Sequence, residues 1–437
     1  MIEIPDELRP QLEGVDLDEL ARLFARRHEK AVKIDPARIQ PLPREMDDDL
    51  GEADLRRLEH AMVGEEAYKA GQVAFLVVAG GQGTRLGFDH AKGLYPVGPI
   101  SKKSLFQLHA EKVLAIQRRF DKPFPLLVMT SPATDAETRQ FFAQHNNFGL
   151  ADCDVWLFCQ GTMPAIDYET GKLLLEAPGK LFLSPNGHGG TLTGLADSGL
   201  LDRLENAGID TVYYFQVDNP LVCLHDPFFV GQHLARGAEV STKVLPKASA
   251  SEKVGNVVLL DARCAIIEYS DLDASLANLT NAHGKPVLWA ANPAIHLFDV
   301  RFLRRVTKNA DNMPWHLAHK KVPYLNERGD KVVPTENNAV KFERFIFDVL
   351  PLAERWTVFP TTREAEFAPL KNAEGADSPA TVRAALIAQA AEWLATAGVD
   401  IPPGAVVEIS PLFALDPEEL ARKVVRKMRI VGATYLQ

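Results

Sequence analysis

The sequence predicts an α/β fold on a mainly parallel, mixed sheet, and two observations carry this. Short apolar runs without polar alternation recur between residues 73 and 217, and amphipathic stretches of helical length separate them. Runs apolar at every position suit strands covered on both faces, and the stretches between them suit right-handed crossovers. In chain order the runs are VAFLVVA (73–79), PLLVMT (125–130), DVWLFCQ (154–160) and TVYYFQV (211–217). SLFQLHAEKVLAIQRRF, with helical periodicity, follows the first run. Thr134 and Glu137 have the spacing of a capping box and open a helix after the second. LADSGLLDRLENAG, helix-like, leads into the fourth.

The flanks read differently. VGNVVLL and CAIIEYS predict a β-hairpin around DAR, and ADSPATVRAALIAQAAEWLATAG predicts a helix after residue 375. VVEISPLF and PEELARKVVRKM close a small C-terminal piece. Before residue 70, LDELARLFARRHEKAV has helical spacing, and IQPLPREMDDDL is a proline-broken acidic link. A chain of 437 residues exceeds one ordinary domain. The expected division is a helical segment over 1–70, a central domain over 71–375 and a small domain over 376–437.

A net charge of −10 argues against a general binder of nucleic acid or anionic membrane, while leaving room for a basic pocket. No apolar run approaches the ~20 residues of a membrane span. The opening MIEIPDELRPQLEG lacks a secretory signal's basic and apolar regions. Four cysteines without a CxxC pair point to reduced thiols and a cytoplasmic home. Protein partners leave no mark in the sequence.

The densest signal is LVVAGGQGTRLGFDHAKGLYPVG (76–98). Gly80, Gly81 and Gly83 let the chain turn tightly and bring backbone N–H groups against a ligand, a common way to hold phosphate after a strand. GxxxxGK[ST] is absent, and Gly81, Gly83 and Gly87 are spaced GxGxxxG instead of GxGxxG, which disfavours a dinucleotide site. The glycines alone fit a positive-φ turn equally well. Arg85 and Lys92 shift the balance: arginine offers a planar fork to bridging phosphate oxygens, lysine a mobile point charge.

AGGQGTRLG, AKGLYPVG and SLFQLHAEK together resemble the opening of the eukaryotic-type UTP:sugar-1-phosphate uridylyltransferases, and within them the UDP-N-acetylhexosamine pyrophosphorylases. The resemblance runs from about residue 73 to 412 and continues through QGTMPAI (160–166), SPNGHGG (184–190), VDNPLV (217–222), EKVGNVV (252–258), IIEYSD (266–271), AANPAIH (290–296), VKFERFIFD (340–348) and FAPLKNA (367–373). It implies a Rossmann-like nucleotidyltransferase core joining UTP to a hexose 1-phosphate with Mg²⁺.

Residue by residue, the resemblance implies that Ala79, Gly80, Gly81 and Gly83 hold the nucleotide through their backbone. Arg85 then lies near the β- and γ-phosphates, and Lys92 neutralises charge during transfer. Gln160 and Gly187 match uracil-holding positions; a side-chain amide offers uracil both a donor and an acceptor. Asp218, following TVYYFQV, lies at the carboxyl edge of a strand; on position alone an Asx turn leading into Pro220 explains it better, and the resemblance favours a contact to Mg²⁺ or ribose. Gly255, Glu268 and Asn292 match sugar contacts. Lys341 and Lys371 match phosphate-contacting lysines, the former on the nucleotide, the latter catalytic.

Two departures bear on the sugar. His188 stands where the acetylhexosamine group has Asn in P-x-G-N-G-G, and UDP-glucose pyrophosphorylases carry His in a comparable motif. Ile295 replaces the second Asn of A-G-N-x-x-N-H. Both are expected near the sugar. The resemblance favours N-acetylglucosamine 1-phosphate, with glucose 1-phosphate as the alternative. A non-catalytic UDP-sugar binder and an NAD(P)-dependent oxidoreductase are more distant rivals.

Overall fold

The computed structural model describes residues 4–28, 34–43, 50–308, 313–424 and 428–437. Parts of LDELARLFARRHEKAV, IQPLPREMDDDL and PEELARKVVRKM, at 29–33, 44–49 and 425–427, lie outside the described residues.

The four apolar runs form four adjacent parallel strands, in spatial order Val155–Cys159, Leu126–Thr130, Val73–Val78 and Thr211–Gln216. Val73–Val78 and Leu126–Thr130 are buried at every position, as runs without alternation require. Val155–Cys159 is the edge strand, and its burial alternates. Odd-numbered residues of the first strand (Phe75, Val77) pack with Phe106 and Val113 of the helix Leu105–Phe120. Even-numbered ones (Leu76, Val78) pack with Leu192 and Leu195 of the helix Gly190–Asp197 on the opposite face.

The sheet extends to eleven strands, and its added half is largely antiparallel. His296–Asp299 runs antiparallel to both Thr211–Gln216 and Val240–Pro246, while Trp356–Pro360 runs parallel to Val240–Pro246. The expected hairpin is Asn256–Leu260 with Arg263–Ile267. Its two-residue turn puts Asp261 and Ala262 at φ 49° and 64°, as a primed hairpin turn demands. A two-residue connection of this kind joins only antiparallel neighbours.

The remaining pieces pack around this sheet. Leu20 and Leu23 of the N-terminal helix Leu17–Ala25 cover Met163, Ile166, Val340 and Phe342, next to a small sheet of Ile166–Asp167, Ala339–Glu343 and His316–Lys320. The C-terminal helix Pro379–Thr396 starts at a Ser378 capping box and shares a core with Val407, Leu420 and Leu436. Glu408 of that piece accepts the Ile100 and Ser101 N–H groups at 2.6 and 2.7 Å.

The helix Asp135–Gln144 begins where expected, but its capping box does not form. Thr134 Oγ1 instead takes the Ser131 N–H at 3.1 Å, and Glu137 turns away to accept the Ala91 N–H at 2.8 Å. Among the described residues no helix is long and apolar enough to cross a membrane.

Candidate active site

The strand Val73–Val78 has Leu126–Thr130 on one side and Thr211–Gln216 on the other, so successive crossovers leave it in opposite directions. That arrangement opens a crevice at the carboxyl ends, where α/β sheets bind ligands. The glycine turn and Asp218 both emerge there, joined by the Val217 N–H donating to Val78 O at 3.1 Å.

The turn is shaped by a side chain from another strand. Gln160, directly after Val155–Cys159, is buried, and its Oε1 has no hydrogen-bond partner among the described residues. A Cβ on Gly80 would stand 2.4 Å from Gln160 Nε2, so a glycine is required where the amide lies across the backbone. A Cβ on Gly81 would meet nothing within 4 Å: this glycine faces open space. Ser131 Oγ donates to Gly80 O at 2.7 Å and fixes the peptide.

Lys92 folds back onto this turn. Its N–H donates to Gly81 O at 3.0 Å, and Gly83 N–H donates to His90 O at 2.9 Å. Its ammonium reaches Asp218 Oδ2 at 3.1 Å, with both side chains largely buried. Asp218 is itself pinned by the segment that carries Lys371, since Leu370 N–H donates to Asp218 O at 2.8 Å. Asn219 completes the seam, donating to Glu366 O at 2.7 Å and accepting the Ala368 N–H at 3.1 Å. Ala373 N–H donates to Arg85 O at 3.2 Å, and the exposed Arg85 guanidinium makes no ion pair among the described residues. Arg85, Lys92, Asp218 and Lys371, distant in sequence, therefore sit on loops tied directly to one another.

Three of the expected sugar contacts also converge. A Cβ on Gly255 would stand 3.2 Å from Glu268 Oε1 and 3.6 Å from Asn292 Cβ, and Asn292 N–H donates to Gly255 O at 2.9 Å. Burial, helped by Asp271, raises the Glu268 pKa, and the positive charge of Lys371 opposes the rise.

Gln160 and Gly187 are neighbours through the ladder of Thr162–Pro164 with Leu183–Pro185, which Asn186 N–H extends by donating to Gly161 O at 3.1 Å. Gly187 sits at φ 84°, where a Cβ would come 2.4 Å from Arg344 O, so its glycine is already required by the fold. His188 Nδ1 accepts the Ile346 N–H at 3.2 Å, which assigns the ring proton to Nε2, and the ring stacks on Phe345. Burial pushes its pKa down to about 4. Lys341 lies in the outer sheet over the Phe182 ring, 5.0 Å from its centroid. Among the described residues its ammonium makes no hydrogen bond to the glycine turn, Lys92 or Asp218.

One expectation is overturned. Ile295 does not face the sugar set: it is 1% exposed, in the core with Leu297, Val217 and Leu370. Ala294 takes φ 57° and its N–H caps Asn292 Oδ1 at 2.9 Å, so the chain reverses and Ile295 falls inward. Two contributors went unread in the sequence: Asn219, beside the Asp218 that was singled out, and Glu137, whose spacing signalled a cap instead of a brace for the Lys92 loop.

No group of three or more His, Cys, Asp or Glu side chains suited to a metal occurs among the described residues. A single carboxylate is nevertheless compatible with Mg²⁺, which commonly binds one or two carboxylates together with substrate phosphates. Asp218 gives one oxygen to Lys92, and its Oδ1 makes no hydrogen bond among the described residues.

The family described as UTP–glucose-1-phosphate uridylyltransferase matches residues 17–424. UDP-N-acetylhexosamine pyrophosphorylase-like protein 1 of Xenopus tropicalis is 36% identical, over 95% of this chain and 89% of its own. The UDP-N-acetylglucosamine pyrophosphorylase of Saccharomyces cerevisiae is 38% identical, over 88% of this chain and 82% of its own. Among solved structures, the uridine diphosphate N-acetylglucosamine pyrophosphorylase of Trypanosoma brucei, in complex with an inhibitor, superposes with a TM-score of 0.84 at 28% identity, covering 99% of this chain and 92% of that one. With the match spanning nearly its whole length, the chain belongs to the UTP–glucose-1-phosphate uridylyltransferase family.

Proposed function

We propose that the chain is a nucleotidyltransferase that makes a UDP-sugar and pyrophosphate from UTP and a hexose 1-phosphate, reversibly, with N-acetylglucosamine 1-phosphate as the sugar substrate. The observation that supports this most is the Lys92–Asp218 pair at the glycine turn, tied through the Leu370 N–H to the segment that carries Lys371, with Gly255, Glu268 and Asn292 forming a second cluster. The names of the relatives support the acetylated sugar.

In this reading a sugar phosphate oxygen attacks the α-phosphorus of UTP in line and pyrophosphate leaves. The nucleophile is already ionised at pH 7, so neither a general base nor a covalent intermediate is needed. Catalysis rests on holding two polyanions together and relieving charge in the transition state. Arg85, Lys92 and Lys371 serve the phosphates. Ala79, Gly80, Gly81 and Gly83 offer backbone, Gln160 and Gly187 hold uracil, and Lys341 serves the nucleotide from the outer sheet. Asp218 is the residue that would hold Mg²⁺, which when bound offsets phosphate charge. Glu268 accepts sugar hydroxyls, with Asn292, Gly255 and His188 alongside. The reaction is assigned to the central domain, 71–375, with 1–70 and 376–437 packing on it. Four free cysteines suit a reducing cytoplasm.

The test is pyrophosphate release with UTP, Mg²⁺ and each of N-acetylglucosamine, N-acetylgalactosamine, glucose and galactose 1-phosphates. Release with the acetylated sugars is the expected result. Preference for glucose 1-phosphate would favour the UDP-glucose reading, for which His188 is the specific observation. No release with any of the four would sink the proposal.

A further inference from the structure

The stretch SLFQLHAEK, conspicuous in the sequence, supplies none of the side chains assigned above to substrate. We infer that it sets the position of Asp218: His109 and Lys112, on one face of the helix Leu105–Phe120, clamp the backbone on either side of that carboxylate and act as positioning residues. This rests on the uridylyl-transfer reading of the site.

The geometry is specific. His109 Nε2 donates to Val217 O at 2.9 Å, one residue before Asp218. Lys112 Nζ donates to Pro220 O at 2.5 Å and to Val222 O at 2.7 Å, just after it. Residues three apart on a helix face the same way, so both grips come from one rigid stripe. The same helix starts beside the Lys92 loop, where Leu105 N–H donates to Tyr95 O at 3.1 Å. One element thus spaces both members of the Lys92–Asp218 pair.

Packing holds the loop's apolar side chains, since Val217, Val222 and Leu224 share a core with Val113 and Ile116 of this helix, and the two polar side chains fix the backbone carbonyls between them. A cavity of about 1080 Å³, between the central body and the C-terminal piece, is lined by Lys112, by Pro220 to Asp226 and by Trp393. Lys112 makes no ion pair among the described residues. The titratable groups facing it are Cys223 and Glu366 from the loops and His109 from its own helix; of these only Glu366 is charged at neutral pH, and it is already engaged by Lys243 at 2.6 Å. Burial pushes the Lys112 pKa down to about 8 and that of His109 to about 3, so at neutral pH the first is charged and the second neutral, as their carbonyl partners require.

The test compares Lys112→Met, which keeps the stem and removes the donors, with Lys112→Arg, which keeps charge and donors. Amide exchange at Val222 and Cys223, pyrophosphate kinetics and the melting temperature are measured on all three proteins. Lys112→Met should speed exchange in the loop about tenfold or more. It should lower kcat by ten- to a hundredfold, on the order expected for a carboxylate displaced by about 1 Å, with KM for the sugar phosphate unchanged. Lys112→Arg should restore most of both. Unchanged loop exchange in Lys112→Met, or a lowered melting temperature with kcat of the folded protein intact, overturns the inference and leaves Lys112 a stability residue. If Lys112→Met does not fold, Lys112→Gln, with one neutral donor, should show the same changes at smaller size, and their absence overturns it. Should the wild type release no pyrophosphate, the functional reading fails, while the exchange arm still decides whether the clamp exists.

Discussion

The phosphate end and the sugar end of the site are built on opposite principles. At the phosphate end the buried lysine and the backbone around it have partners inside the protein: Lys92 holds Asp218, Asn219 holds both Glu366 and Ala368, and Gly81 holds Lys92, while Arg85 stays exposed. At the sugar end Glu268 is desolvated, and its carboxylate makes no hydrogen bond among the described residues. The difference follows from the ligands each end is proposed to meet. Cations waiting for a polyanion repel one another and need an internal counter-charge until it arrives. A neutral sugar brings its own hydroxyl donors, so an acceptor can be left unpaired and desolvated for it, at an energetic cost repaid on binding. One end exchanges partners, and the other acquires them.

The sharpest way to break this comparison is at Lys371, the cation between the two ends. Lys371→Ala should lower kcat for pyrophosphate release on the order of 10²-fold or more, about 2.7 kcal/mol of transition-state stabilisation. Near-normal turnover would remove Lys371 from the chemistry and separate the two clusters. Next in size is Ile295→Asn, which restores the residue that the resemblance favours. Because Ile295 is buried in the core, the variant should lose on the order of 3 kcal/mol of stability by thermal or urea unfolding, with the ratio of rates on acetylated and unacetylated sugars unmoved. A changed sugar ratio at intact stability would return position 295 to the sugar site.

A smaller pair of variants probes the glycine turn. Gly80→Ala puts a Cβ 2.4 Å from Gln160 Nε2, so the amide must shift, and KM for UTP should rise about tenfold. Gly81→Ala meets nothing in the protein and should melt as the wild type does. Any rise in its KM for UTP then reports the ligand's backbone approach, because the fold imposes no cost there.

How much of this was legible follows the same division. The nucleotide half could be read because its signals are local: a strand with no polar break, a glycine turn and a lysine that returns to it within about a dozen residues, all in one stretch. Asp218 was legible because Thr211–Gln216 was, and a carboxylate just past a parallel strand has few places to point. The sugar set was named only through the resemblance, because Gly255, Glu268 and Asn292 stand at the ends of separate strands of the antiparallel extension, whose pairing no single stretch encodes. Ile295 misled for the same reason. Its place depends on the left-handed turn at Ala294, a residue type that gives no warning of positive φ. Glu137 carried the right spacing for a cap and was taken instead by the Lys92 loop, a tertiary contact outweighing a local one.

The smallest expected effect concerns His188, packed against Phe345 and bonded to Ile346. Its Nδ1 accepts the Ile346 N–H, and its ring packs against both Phe345 and Phe347. The Tyr214 hydroxyl, 3.5 Å away, leads through Gln216 toward the strand end that carries Asp218. The ring is therefore a fixed wall whose one free donor is Nε2. Asparagine is shorter and can satisfy Ile346 only by giving up the aromatic stack. His188→Asn should accordingly fold, move KM for the sugar phosphate by a few-fold and leave KM for UTP alone, because no His188 contact reaches the glycine turn. Since burial holds the ring neutral down to about pH 4, its acceptor role persists through the neutral range. The wild type and His188→Asn should then share one pH–rate profile between pH 6 and 8. An inflection present in the wild type and absent from the variant would mean that the ring titrates in the working enzyme, and that the sugar end opens to water during turnover.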